Sequence, residues 1–189
     1  MFEMRFHGRG GQGAVMASKI LAKALAEEGH FVKAIPSFGF ERRGAPVEAF
    51  LRFGDREIRQ ITNIYAPDCI VCLDPTLSKS VNIFNGINDN AVLVQATKKD
   101  ASQLSIPDTV SRVGVVDAFG LAMDIIGRPI TNTIMLGVFA KTTGYVSVES
   151  INKAMESVAF RDAALDKNIE AVAQGYEKTV IKELKGGSK

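Results

Sequence analysis

The chain has 189 residues, 46% of them apolar and 23% charged, which suits one domain with its own core and argues against wholesale disorder. Its 23 basic and 21 acidic residues leave a formal net charge of +2, so no charge excess points to nucleic acid or an anionic membrane as partner. Two cysteines are too few for a disulfide framework, the start MFEMRFHGRGG lacks the apolar core of a signal peptide, and no run approaches the ~18 apolar residues of a membrane helix; the expectation is a cytoplasmic protein.

Met1–His7 reads as a strand that runs into FHGRGGQGAV, and Gln12–Gly29 as the helix behind it. Ala14, Ala17, Leu21 and Leu25 recur at helical spacing, and Gly29 stands where a helix ends. HFVKAIP is a second strand stopped by Pro36, and SFGFERRGAP is a loop. VEAFLRFGDREIRQI alternates apolar and polar residues and is expected to form a β-hairpin turning at Gly54–Asp55.

DCIVCLD, NAVLVQA and SRVGVVDA are near-continuous apolar runs that fit buried parallel strands. Ser78–Asn85 between the first two reads as a weak helix, and TKKDASQLSIPDT as irregular chain. After Asp117 the pattern turns helical through AFGLAMDIIG, NTIMLGVFAKTTG, SVESINKAMESV and ALDKNIEAVAQGYEKTVIKEL. In the second of these, Thr131 or Asn132 can cap a helix whose Ile134, Met135, Val138 and Phe139 form an apolar stripe. Gly137 in mid-helix points to close packing, with the helix buried against the sheet. The order of elements gives an α/β layered fold with a mostly parallel sheet, one antiparallel hairpin and a helical C-terminal part. Residues 1–185 read as one domain and 186–189 as a flexible tail.

Gly8, Gly10 and Gly13 spell G-x-G-x-x-G between a strand and a helix, a device that brings free N–H groups to an anion. A dinucleotide site also needs a carboxylate at the end of the second strand. That strand ends in Pro36–Ser37, so the fingerprint is half present. The glycines can instead serve tight helix packing, or a backbone cradle for another anion or a partner's loop. The second dense patch, PSFGFERRGAPVEAFLR, sets Phe38 and Phe40 beside Glu41, Arg42 and Arg43. Such a loop is either solvated or an interface, and its aromatic residues favour the interface.

GRGGQGAV at Gly8–Val15 and FGFERRGAPVEAFLR at Phe38–Arg52 together resemble the two signatures of the γ subunit of 2-oxoacid:ferredoxin oxidoreductases, the pyruvate and 2-oxoisovalerate enzymes above all. The order of DCIVCLD, VVDA and NTIMLGVFAK extends the resemblance over roughly Met1–Gly175. It implies a Rossmann-like domain in an assembly with α, β and δ subunits. That assembly oxidatively decarboxylates a 2-oxoacid on thiamine diphosphate with Mg, forms an acyl-coenzyme A and passes electrons through [4Fe-4S] clusters to ferredoxin. The γ subunit is then a non-catalytic, active-site-covering part with no complete cofactor site of its own. Gly8, Arg9, Gly10, Gly11, Gln12 and Gly13, with Phe38, Gly39, Glu41, Arg43 and Gly44, are the candidate interface or anion-binding residues. The two loops are expected side by side, each following one of the first two parallel strands. Pyruvate is the first choice of substrate and a branched-chain 2-oxoacid the second; 2-oxoglutarate and aromatic 2-oxoacids stay open.

The residues suit that limited role. A [4Fe-4S] cluster needs four thiolates, whereas Cys69 and Cys72 lie three apart in an apolar strand and would face opposite sides of it. His7 and His30 have no partner at metal-ligand spacing. No nucleophile–base pair and no thiamine-type G-D-G motif is present. The alternative is an independent nucleotide-binding Rossmann-like protein, which would bind NAD, NADP, FAD or coenzyme A alone. A third reading is a scaffold whose loops only lock subunits together.

Overall fold

The computed structural model describes residues 1–36, 43–158 and 162–184. The 186–189 tail lies outside the described residues. Seven strands form one sheet: β1 (Phe2–Arg9), β2 (Phe31–Pro36), β3 (Pro46–Gly54), β4 (Cys69–Cys72), β5 (Ala91–Ala96), β6 (Val110–Val116) and β7 (Val180–Glu183). Their order is β2-β3-β1-β4-β5-β6-β7. β1, β4, β5 and β6 pair in parallel, while β3 is antiparallel to both β1 and β2, and β7 is antiparallel to β6. Five of the seven strands therefore share one direction. The helices are α1 (Ala14–Glu27), α2 (Ala118–Ile125), α3 (Asn132–Thr143), α4 (Val148–Val158) and α5 (Asp162–Lys178).

The period of a strand splits its side chains between two cores. Met4, Phe6, Cys69, Val71, Val94 and Ala96 join the cluster that also contains buried residues of all five helices. Ile70, Cys72, Leu93, Val113 and Val115 face a smaller cluster on the other side. That second face is closed by Leu77, Ile83 and Ala101 from the connections between strands. Those connections contain only single 3-10 turns, at Leu77–Lys79 and Ala101–Gln103. The helices thus lie on one face, and irregular chain covers the other.

α3 is buried over ten of its twelve residues, as expected of an inner helix between sheet and α5. A methyl on Gly137 would lie 2.1 Å from the Val172 carbonyl oxygen, and one on Gly175 2.2 Å from that of Ile134. The two backbones cross in direct contact, which accounts for the mid-helix glycine.

Four expectations are corrected. VEAFLRFGDREIRQI is not a hairpin: its first half is one long strand, β3, and residues 55–66 carry no strand. The antiparallel element is β3 itself, wedged between β2 and β1, since a strand bonded on both edges buries more apolar surface than a two-stranded arm. VIKEL does not continue the last helix; Val180–Glu183 forms the edge strand β7, where β-branched residues pair with β6. The helix expected over Ser78–Asn85 is a single turn. Thr131 stands at the start of α3 but makes no side-chain cap there; its hydroxyl donates to the Leu73 carbonyl at 3.1 Å, tying the helix to the end of β4.

Candidate functional site

The glycine loop joins β1 to α1 at the carboxyl edge of the sheet, where α/β proteins place ligands and partners. Gly11 and Gly13 have φ of +94° and +82°, a left-handed conformation that strains any side chain. A methyl on Gly13 would also lie 2.5 Å from Asn132 Nδ2, so this glycine lets the starts of α1 and α3 touch. One on Gly8 would press Leu73 and Ala14 at 3.2 and 3.3 Å. Two of the three fingerprint glycines therefore serve packing within the chain.

The third, Gly10, is bound to the second loop. Its N–H donates to the Ala45 carbonyl at 2.9 Å, and its carbonyl accepts the Gly44 N–H at 3.0 Å. These bonds prolong the β1–β3 ladder, which ends at Arg9 opposite Pro46. The backbone that would approach a pyrophosphate in a dinucleotide site is spent on the loop after β2. Of the second loop, Gly44 and Ala45 lie beside Gly10, brought there by the pairing of β3 with β1.

A side-chain network locks the edge from within. Arg9 Nε contacts Asp74 Oδ2 at 3.1 Å, Arg9 Nη1 donates to the Gly44 carbonyl at 3.1 Å, and Nη2 donates to Thr76 Oγ1 at 2.9 Å. Gln12 Nε2 donates to the same Asp74 oxygen at 2.8 Å, while Gln12 Oε1 accepts the Arg9 N–H at 2.7 Å. The Thr76 N–H and hydroxyl donate to the other Asp74 oxygen at 2.8 and 2.6 Å. Burial would raise the Asp74 pKa. The bonds from Thr76 and Gln12 and the charge of Arg9 outweigh it and hold the carboxyl below its usual range. Sequence reading did not single out Asp74 or Thr76, and offered Asn132 only as a helix cap. The signal for Asp74 was available: an acid directly before proline, closing a buried parallel strand.

Phe38, Gly39, Glu41 and their neighbours Phe40 and Arg42 lie outside the described residues. Arg43 is exposed, and its Cγ lies 3.9 Å from where a Gly11 Cβ would stand, so its side chain runs along the glycine loop. Gly44 has φ +85°.

His7 is buried on the helix-free face, where Arg5 Nε donates to its Nε2 at 2.9 Å and Glu48 faces its Nδ1 at 3.5 Å. Burial, and then the Arg5 guanidinium, push its pKa down to about 3, so it is a neutral hydrogen-bonding group at neutral pH. Cys69 and Cys72 are fully buried in opposite cores. Burial pushes both thiols up, Cys72 to about 12. Two protonated thiols on opposite faces do not fit a [4Fe-4S] cluster, and no His, Cys, Asp and Glu group able to hold a metal occurs among the described residues. No described helix is long and apolar enough to cross a membrane.

Comparison with known proteins places this geometry. The model of the pyruvate ferredoxin/flavodoxin oxidoreductase family matches residues 3–178. The chain is similar to the γ subunit of NADH-dependent phenylglyoxylate dehydrogenase from Aromatoleum evansii, at 60% identity over 97% of each chain. It is similar to the common γ subunit of the pyruvate/ketoisovalerate oxidoreductases of Thermococcus kodakarensis, at 46% identity over 97% of this chain and 100% of the relative. Among solved structures it is similar to a pyruvate oxidoreductase subunit of Thermotoga maritima, with a TM-score of 0.82 and 38% identity over 96% of this chain and 98% of that one.

Proposed function

Because the chain belongs to the pyruvate ferredoxin/flavodoxin oxidoreductase family, as a γ-type subunit of a multi-subunit oxidoreductase acting on 2-oxoacids, we propose that its carboxyl edge is the surface that meets the subunits carrying the chemistry. The observation that carries this is the Gly10–Gly44–Ala45 backbone pairing, braced by Arg9 on Asp74. It ties Gly44 and Ala45 to the glycine loop and leaves Arg43 on the outside. An exposed arginine beside a backbone fixed in this way suits an interface or the phosphates of coenzyme A. Gly8–Gly13 and Phe38–Gly44 are the contact loops in this reading. Thiamine diphosphate, Mg and the [4Fe-4S] clusters belong to the α, β and δ subunits, electrons leave to ferredoxin, and the complex works in the cytoplasm. This chain covers and positions; it holds no proton or electron of the reaction.

The reading of an independent nucleotide binder loses its main support, since Gly10 is engaged within the chain. For the substrate, the 60% identity to a subunit named for phenylglyoxylate, against 46% to one named for pyruvate and ketoisovalerate, favours an aromatic 2-oxoacid over pyruvate and reverses the order expected from sequence. Co-expression with the neighbouring reading frames, followed by purification through a tag on this chain, tests both parts. The expected result is a larger complex whose coenzyme A-dependent acceptor reduction is faster with phenylglyoxylate than with pyruvate. A chain that always elutes alone overturns the subunit surface, and a preference for pyruvate overturns the substrate.

A further inference from the structure

A cleft of about 570 Å³ opens beside the glycine loop, between the starts of α1 and α3, the turn after α2 and the first turns of α5. Met16, Ile126, Ile130 and Ala164 give it apolar walls. The apolar surface continues onto α2. Of the eight residues of that helix, AFGLAMDI, only Ala118 and Ala122 are buried. Phe119, Met123 and Ile126 recur at helical spacing and share one side of it, and Met123 is 52% exposed. A continuous apolar surface left open in this way marks a contact with another macromolecule. Arg128 and Lys167, both exposed, form the charged rim of the cleft. No carboxylate lines it among the described residues.

We infer that this cleft receives a segment of another subunit of the complex, with an apolar side chain in the socket and a carboxylate beside it reaching Arg128 or Lys167. The inference rests on the subunit reading above and deepens it by naming the chemistry of the partner. Three observations select this occupant. The chain belongs to a family of multi-subunit oxidoreductases, so it has a partner surface to meet. A rim of one charge calls for the opposite charge across it. The buried polar groups of the socket are engaged within the chain: Asn168 accepts from the Thr133 hydroxyl at 2.8 Å and donates to the Ala164 carbonyl at 2.7 Å, and Asn132 Oδ1 accepts the Thr133 N–H at 2.9 Å. An apolar centre inside a polar, arginine-bearing rim has the anatomy of a protein interface.

The test uses the complex obtained by co-expression, with the free chain as reference. Oxidation of Met123, and amide exchange through Ile126–Ile130 and Ala164–Asn168, should be at least about tenfold slower in the complex than in the free chain. Ile126→Asp, and Arg128→Glu with Lys167→Glu, should each weaken assembly at least about tenfold. Lys178→Glu, an equal type of charge reversal on the other side of α2 beside Gly120 and Asp124, should not. Unchanged melting temperatures of the free chains establish that each variant is folded. Added salt should weaken assembly of the parent more than that of the double variant. A complex that leaves Met123 and these amides as accessible as in the free chain, or that tolerates the cleft substitutions, overturns the inference and leaves the subunit assignment standing. Slowing that appears only when coenzyme A is added makes the cleft a small-molecule site and overturns it as well. A chain that never joins a complex removes the subunit surface and this socket together.

Discussion

Arg9 and Asp74 meet at 3.1 Å across the carboxyl edge of the sheet, and the carboxylate is only 8% exposed at its side chain. One comes from the end of β1 and the other follows β4, so the pair fixes the glycine loop to the next parallel strand. Asp74→Asn should cost about 1–3 kcal/mol of stability, because it leaves Arg9 without its charge partner while Gln12 and Thr76 must re-pair. The sign of the pH effect follows from the depressed carboxyl pKa. Its contribution is present above the unfolded-state carboxylate range and fades as pH falls through the lower folded-state value. Urea unfolding of both proteins should therefore show a gap at pH 7 that narrows in acid; a gap that stays constant with pH speaks against the charge pair.

Gly13→Ala should destabilise by about 1–3 kcal/mol, from the left-handed backbone and the 2.5 Å approach to Asn132 Nδ2 together. Adding Asn132→Ala relieves the contact but not the backbone strain. The double variant should recover part of the loss, and thermal melts of the three variants measure how much. Full recovery would mean that the left-handed conformation costs nothing at this site.

Gly137→Ala places a methyl 2.1 Å from a carbonyl oxygen of α5, and Gly175→Ala does the same against α3. In an exposed helix the change would gain about 1 kcal/mol. Here each should lose at least about 2 kcal/mol, since backbone cannot yield as a side chain can. Amide exchange through Leu136–Ala140 should be slow in the parent and accelerated in either variant.

His7 should not titrate between pH 5 and 8. Its folded-state pKa of about 3 lies below the unfolded value. The unfolded chain therefore binds more protons in the window between them, and stability falls as pH drops from about 6.5 toward 3. The imidazole proton shift by NMR checks the first statement. His7→Gln should flatten the second, and a shift that moves with a midpoint near 6.5 would remove the claim that burial and Arg5 hold the ring neutral.

Arg43→Ala should leave the melting temperature of the isolated chain unchanged, since Arg43 is exposed in it. It should weaken assembly or coenzyme A-dependent turnover at least about tenfold, with Arg43→Lys not neutral, because a lysine cannot form the planar two-pronged bond. Arg42→Ala should do much less. Two variants that assemble and turn over like the parent would reduce this loop to solvated surface.

The amino-acid sequence by itself determined the α/β class and the helical spacing of α1. It also determined the buried strands β4, β5 and β6, because apolar periodicity and glycine or proline punctuation are local signals. It determined as well that Cys69 and Cys72 face opposite cores, since an offset of three in a strand always does. Tertiary structure alone decided which strands pair. Alternation within Val47–Ile61 matches a hairpin as well as a strand, and only the free edge of β1 selects one straight β3 over Pro46–Gly54. Val180–Glu183 continues a helical pattern, yet the open edge of β6 draws it into a strand. The Arg9–Asp74 pair joins residues 65 positions apart, and the bonds of Gly10 to Gly44 and Ala45 exist only once β3 lies beside β1. Contacts at such separation leave no local period in a chain, because they depend on where the sheet sets its strands rather than on the residues next to them.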